Sequence, residues 1–291
     1  MGQSLPINFT PTGMVPTKEM TPHVPVTPAE IIEDVRTAYE IGITSVHLHA
    51  RDLETGEPTW EQEVFAEIID GIREFAPELV VCVSLSGREW GDVDKRTAPL
   101  ALTGDRKPDM GSLTLSSMNF TGSASVNSPE TIHRLAERMR ERGVLPELEL
   151  FDLGMVNYAT YLSERGVLES PHYCNLLLGN IATAQADPVH VGTMLRDLPA
   201  DSVWALAGIG DAQVSMNTLA VALGGGVRVG LEDAIYMGPD GEQLATNEAL
   251  VRRIHELADL NGHEVMEPAQ LRDRLDLEPG FGKYGRQSPP E

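Results

Sequence analysis

The sequence predicts an α/β protein, a single-domain (β/α)8 TIM barrel, on three observations. Short β-branched or apolar runs alternate with amphipathic, charged stretches along the chain. Eight runs of strand length are found, and eight units favour closure into a barrel over an open, doubly wound sheet. No Gly-x-Gly-x-x-Gly follows the first run, so the best marker of the open alternative is missing. A length of 291 residues suits one such domain.

Taken in order, Leu5–Thr10 reads as the first strand. Thr27-Pro28-Ala29-Glu30 then offers a hydroxyl cap and a proline at the first helical position, so a helix is expected over Pro28–Ile41, ended by Gly42. Thr44–His49 is the second strand, Glu61–Phe75 a helix and Leu79–Leu85 the third strand. The stretch from Gly87 to Pro108 is the least regular and reads as a long loop with a short helix. Met110–Leu115 follows as strand four, and Ser128-Pro129-Glu130 caps a helix over Pro129–Arg142 that Gly143 stops. Glu147–Phe151, a helix at Met155–Arg165 and Gly166 make the fifth unit; Tyr173–Leu178 and Pro188–Leu195 make the sixth. Ser202–Ala207 and Gln213–Leu223 make the seventh. Gly224-Gly225-Gly226 lacks the Gly-Lys-Ser/Thr ending of a phosphate loop and reads as a helix stop before a tight strand entry. Val227–Leu231 and Asn247–Leu260 complete the eighth unit. The barrel is placed at residues 1–277; residues 278–291 read as an irregular tail, either a frayed end or an arm on a neighbouring subunit.

Composition narrows the partners. A formal net charge of -22 argues against nucleic acid and anionic membrane, which would repel it. No apolar run approaches the ~20 residues that span a bilayer, and the first residues lack the basic start and apolar core of a signal peptide. Cys82 and Cys174 are the only cysteines, each in a strand-like run, and make neither a metal knuckle nor a disulfide framework. A reduced, cytoplasmic setting is the expectation.

In a (β/α)8 barrel the chemistry sits at the carboxyl ends of the strands. The second strand ends His47-Leu48-His49, and alternation puts both imidazoles on one face. On that motif alone, half of a divalent metal site and a pair of hydrogen-bonded structural histidines stand level. The eighth strand tips the balance. Continued alternation places Arg228, Gly230 and Glu232 on one face, and strand eight neighbours strand one in a closed barrel. Glu232 then completes a His2Glu set with open positions for substrate, and Asp233 follows as a free base. The competing reading, two surface carboxylates at a strand end, accounts for less.

Other polar residues at strand ends are Thr10, Thr12, Ser84, Ser86, Gly87, Ser112, Thr114 and Asn119, of which the serines and threonines taken singly read best as loop caps. Of Glu147 and Glu149, one is expected to point into the barrel, where an acid must be paired or functional. His133, His190, His255 and His263 are expected in solvent, His23 and His172 in loops.

Several blocks together resemble the β-keto acid cleavage enzymes, a family that includes the 3-keto-5-aminohexanoate cleavage enzymes. They are Pro22-His23-Val24-Pro25-Val26-Thr27-Pro28, His47-Leu48-His49-Ala50-Arg51-Asp52, Pro108-Asp109-Met110-Gly111-Ser112-Leu113, Met118-Asn119-Phe120, Pro146-Glu147-Leu148-Glu149-Leu150-Phe151-Asp152 and Arg228-Val229-Gly230-Leu231-Glu232-Asp233. The resemblance implies a zinc-bearing barrel that forms homo-oligomers, commonly tetramers. It implies condensation of a β-keto acid with acetyl-CoA, then cleavage to acetoacetate and a new acyl-CoA. By the same resemblance His47, His49 and Glu232 would be the zinc ligands and Asp233 the base, with Arg228 steadying it. Ser84, Gly87, Ser112 and Glu149 would line the substrate pocket.

The chain departs from the family in two loops. The aminohexanoate enzymes carry an acid in the first βα loop to hold the substrate's amino group, where this chain has Thr12-Gly13-Met14-Val15-Pro16. Ser84-Leu85-Ser86-Gly87-Arg88 replaces a Ser-Thr-Gly-Gly-like stretch, leaving Arg88 to meet a second substrate carboxylate, a CoA phosphate or solvent. A metal-dependent amidohydrolase-type barrel is the second reading, but it wants its histidine pair on strand one and a lysine on a later strand. A non-catalytic metal-binding barrel is the third.

Overall fold

Mainly apolar runs fold as strands covered on both faces, and eight of them close on one another. The computed structural model describes residues 4–278. Its barrel strands are β1 (Ile7–Phe9), β2 (Ser45–Leu48), β3 (Val80–Val83), β4 (Met110–Thr114), β5 (Leu145–Leu150), β6 (His172–Leu178), β7 (Ser202–Gly208) and β8 (Gly226–Val229). All pair in parallel, in sequence order, and β8 closes on β1. Helices lie between them: α1 (Pro28–Ile41), α2 (Gln62–Arg73), the short α3 (Val93–Arg96), α4 (Pro129–Arg142), α5 (Leu153–Glu164), α6 (Pro188–Asp197), α7 (Gln213–Ala222) and α8 (Asn247–Asn261). The capping signals act as read. Thr27 accepts from the Glu30 amide while the Glu30 carboxylate accepts from the Thr27 amide, and Ser128 accepts from Thr131.

The barrel interior is layered. Its lower layer is apolar, built from Val80, Met110, Leu145, Tyr173 and Val203. A helix the sequence reading did not anticipate, α9 (Pro268–Leu275), closes this end with Leu271 and Leu275. Its Arg272, with Arg73 of α2, holds Asp109, the residue before β4; Nη1 and Nη2 of Arg272 and Nη2 of Arg73 lie 2.8–2.9 Å from its carboxylate. The upper layer is polar: Asn8, His47, Glu147, Asn175 and Arg228 are all buried.

Three departures from expectation bear on the site. Strand eight ends at Val229, so Glu232 sits in a turn rather than on the strand, though Arg228 still reaches it. Glu147 and Glu149 both face the interior side, because residues two apart on a strand share a face. His172 is the first residue of β6 and bonds Ser163, and His255 bonds the Gly42 carbonyl at 2.8 Å, so neither is a loop or solvent residue. The expected tail falls outside the described residues except for Glu278. Among the described residues no helix is long and apolar enough to cross a membrane.

Candidate active site

At the carboxyl rim His47 projects inward from β2, His49 lies one residue past its end, and the turn after β8 brings Glu232 over both. The His47 and His49 Nε2 atoms are 3.3 Å apart. Glu232 Oε1 lies 3.3 Å from Nε2 of His49 and 4.0 Å from Nε2 of His47. Ligand atoms about 2.0–2.2 Å from a tetrahedral zinc sit about 3.3–3.6 Å apart, so the set has the spacing of a cation's coordination sphere. Two imidazoles and a carboxylate are a borderline donor set suited to such an ion, and Glu232 Oε2 is buried with no hydrogen-bond partner. The loop after β1 backs the carboxylate: a Cβ on Gly13 would sit 2.6 Å from Glu232 Cγ, and the Gly13 carbonyl is tied to the Arg51 guanidinium at 2.7 Å.

The second nitrogen of His47 is equally fixed. Its Nδ1 lies 2.5 Å from Glu147 Oε2, which turns Nε2 toward the rim, and Glu147 Oε1 accepts from Asn8 Nδ2 at 2.7 Å. This is the arrangement that makes a histidine a better ligand, and the sequence reading did not assign it. Cys82, paired with His47 in register, sends its thiol 3.2 Å from the same carboxylate. Burial, together with Glu147, raises that thiol well above its usual range, so here it donates to the carboxylate; Cys82, His47 and Glu147 form a second, deeper group of metal-ligating types.

The electrostatics divide the acids. Burial pushes the His47 pKa down, but Glu147 and Glu232 outweigh it and carry it up to about 9. A field that holds a proton there is one that a divalent cation would relieve. His49 is lowered, burial outweighing Glu232. Glu147, despite burial, is drawn down to about 2 by His47 and Arg228. Glu232, also against burial, is held well below the carboxylate range by Arg228 and the two histidines. Its neighbour Asp233 goes the other way: burial, with the Glu232 charge, raises it in spite of Arg228. Arg228, 1% exposed, spans the two, with Nη2 2.7 Å from Glu232 Oε1 and Nε 3.1 Å from Asp233 Oδ2. Adjacent carboxylates with pKa values pushed apart suit a ligand and a base.

Asp233, Arg228, Glu232 and His49 open onto a cavity of about 750 Å³. Ser84 and Glu149 also line it, Glu149 accepting from Thr114 at 2.6 Å. Ser112 and Gly87 lie behind that wall. Ser112 Oγ accepts from the Leu85 amide at 3.0 Å, and Gly87 is buried where a Cβ would meet Arg96 Nη1 at 2.7 Å. Both therefore shape the loop that presents Ser84, Ser86 and Arg88. An antiparallel pair, Met118–Asn119 with Ala124–Ser125, covers the cavity with Met118 and Phe120.

The sequence model described as beta-keto acid cleavage enzyme matches residues 5–277. A 3-keto-5-aminohexanoate cleavage enzyme of Fusobacterium nucleatum is 35% identical over 95% of this chain and 99% of its own length. A 3-oxoadipate:acetyl-CoA acetyltransferase of Cupriavidus necator is 36% identical over 95% of this chain and 96% of its own. Among solved structures, ObcA in a ternary complex with a C4-CoA adduct and oxalate superposes with a TM-score of 0.78 at 22% identity, over 88% of this chain and 68% of that one, a likeness of fold. With a whole-length family match and relatives above 30% identity, the chain belongs to the beta-keto acid cleavage enzyme family.

Proposed function

We propose that this chain converts a β-keto acid and acetyl-CoA into acetoacetate and a new acyl-CoA. The observation that carries the reading is the adjacency of Glu232 and Asp233 on one arginine, with Glu232 turned onto the histidine pair and Asp233 onto the cavity. His47, His49 and Glu232 would hold a divalent cation, zinc by their donor types. When bound, that ion supplies a fixed positive charge against which negative charge developing on a keto oxygen is stabilised.

Asp233 takes the proton from the carbon between the keto and carboxyl groups, already acidic enough for a carboxylate base. Arg228 holds Asp233 in place through Nε and Nη2 and lends it positive charge while the proton moves. The carbanion attacks the acetyl thioester carbonyl and expels CoA thiolate. That thiolate attacks the original keto carbonyl, and the bond between this carbon and the carbanion carbon breaks. Asp233 returns its proton to the departing acetoacetate carbanion. Ser84 and Glu149 contact the substrate at the cavity wall, while Ser112 and Gly87 support that wall from behind.

The names of the relatives span aminated and acidic keto acids at similar identity, so they do not choose a substrate. The first loop does, in part. Met14 and Val15 line the cavity where an acid would be needed, so an aminated keto acid is a poor substrate for this chain. A homo-oligomer, commonly tetrameric in the family, and a cytoplasmic setting complete the proposal. The test offers a panel of β-keto acids with and without acetyl-CoA and follows acetoacetate. Formation only when both are present supports transfer; product formation without acetyl-CoA would favour the amidohydrolase-type reading.

A further inference from the structure

Two arginines line the cavity, and they are placed differently. Arg228 is ion-paired with Glu232 and Asp233, although its Nη1 has no partner. Arg88 is not: among the described residues no carboxylate comes within ion-pair distance of it, and its buried Nε has no hydrogen-bond partner. Its guanidinium carbon sits over the Phe120 ring, with Cζ 3.6 Å from the centroid. That contact anchors the guanidinium, and among the described residues no hydrogen bond is made by its Nη atoms, so they remain available to bind a carboxylate through two parallel hydrogen bonds.

The loop beneath is built to hold Arg88 there. Arg96 donates from Nε to the Leu85 carbonyl at 2.8 Å and from Nη2 to Asn127 Oδ1 at 2.9 Å, and Gly87 leaves room for it. Ser86 Oγ then accepts from the Arg88 amide at 3.3 Å. A half-buried arginine has lost much of its water, and leaving it unpaired is costly. The first-loop side of the same cavity is apolar, formed by Met14, Val15, Pro16 and Met20. Of the other acids on the cavity wall Glu89 and Asp211 are exposed, while Glu232 and Glu149 act on Arg88 from beyond ion-pair distance.

We propose that Arg88 is the specificity-determining residue of this site and binds the far carboxylate of a β-keto diacid. The substrate then carries two carboxylates: one beside the keto group, at the histidine and Glu232 end, and one at the tip of the tail, on Arg88. The apolar first-loop wall covers the methylenes between them. This assignment rests on the reading that a β-keto acid occupies the cavity.

The experiment compares a β-keto diacid with the β-keto acid of equal chain length whose tail is an uncharged ester, in wild type, Arg88→Met and Arg88→Lys. Loss of charge-assisted hydrogen bonds predicts that Arg88→Met raises KM for the diacid about 10- to 100-fold more than for the ester, with a smaller change in kcat. Arg88→Lys is expected to recover part of that difference. An equal loss for both substrates overturns the proposal. So does a rise confined to the KM for acetyl-CoA, which would assign the anion to a CoA phosphate. Calorimetric binding of both acids without acetyl-CoA separates this proposal from the transfer reading. If no acid is turned over but the diacid binds wild type and not Arg88→Met, Arg88 keeps its role and transfer fails; if diacid binding is independent of Arg88, the proposal fails.

Discussion

At the floor of the barrel one aspartate meets two arginines; at the rim one arginine meets two carboxylates. Asp109 is 1% exposed and its oxygens accept from Arg73, from both Nη atoms of Arg272 and from the Val81 amide at 2.8–2.9 Å. At the rim Asp233 shares Arg228 with Glu232, accepts weakly from Thr10 at 3.4 Å, and the cluster leaves Arg228 Nη1 and Glu232 Oε2 without partners. Both clusters bury ionised groups, but only the lower one satisfies its carboxylate completely. The lower one fastens α2 and α9 to the strands. The upper one keeps donors and acceptors unspent, as expected where an ion and a substrate are to be added.

By that contrast the same kind of substitution has opposite consequences at the two ends. Asp233→Asn is expected to lower kcat about 10²- to 10⁴-fold with little change in thermal stability, because Arg228 keeps Glu232. A wild-type rate of proton exchange at the substrate's α-carbon would remove Asp233 from the role of base. Asp109→Asn leaves Arg73 without its counter-charge and Arg272 with only the exposed Glu78, 3.8 Å away, and is expected to cost about 3–5 kcal/mol of stability, measured by denaturant unfolding. The molecules still folded should turn over at the wild-type rate.

Glu147→Gln sharpens the comparison within the rim. It keeps the shape but weakens the hold on His47 Nδ1, and is expected to weaken cation affinity about 10- to 100-fold, read by competition with a metal indicator. Unchanged affinity would make Glu147 a purely structural acid. The smallest effect is in the pH profile. Burial and Glu232 raise Asp233, so the base form is present above that raised pKa and lost as pH falls through it. In the metal-free protein Asp233 should therefore lose its charge at a higher pH than an ordinary aspartate, read by carboxyl-carbon NMR, and a midpoint at the ordinary aspartate position would contradict the burial of this carboxylate beside Glu232.

Most of the barrel was legible because the strands are mainly apolar runs and most of the helices carry a side-chain cap; α2 and α7, which lack one, were found from their apolar faces. The helix α9 was not: it is eight residues long, near the end of the described chain, and its role depends on Arg272 reaching Asp109 far away in sequence. The antiparallel pair Met118–Asn119 with Ala124–Ser125 is too short to leave a pattern. In the site, His47 and His49 followed from alternation, and Glu232 was chosen for its strand although a turn carries it. The partnership of Glu147 with His47 was readable too, had the two-residue spacing of Glu147 and Glu149 been followed to a shared face. Asn8 and Asn175, polar residues amid apolar strands, were a further signal of the inner network. Ser112 and Gly87 could not be placed from sequence, because lateral contacts with Leu85 and Arg96 decide which way the third loop turns.

The central claim is that His47, His49 and Glu232 together hold one catalytic cation. Atomic emission on purified wild type and His49→Ala, with circular dichroism to verify the fold, tests it most directly. Close to one divalent ion per wild-type chain is expected, and loss of most of it with nearly all activity in a folded variant. A folded His49→Ala protein with its metal content unchanged would contradict it.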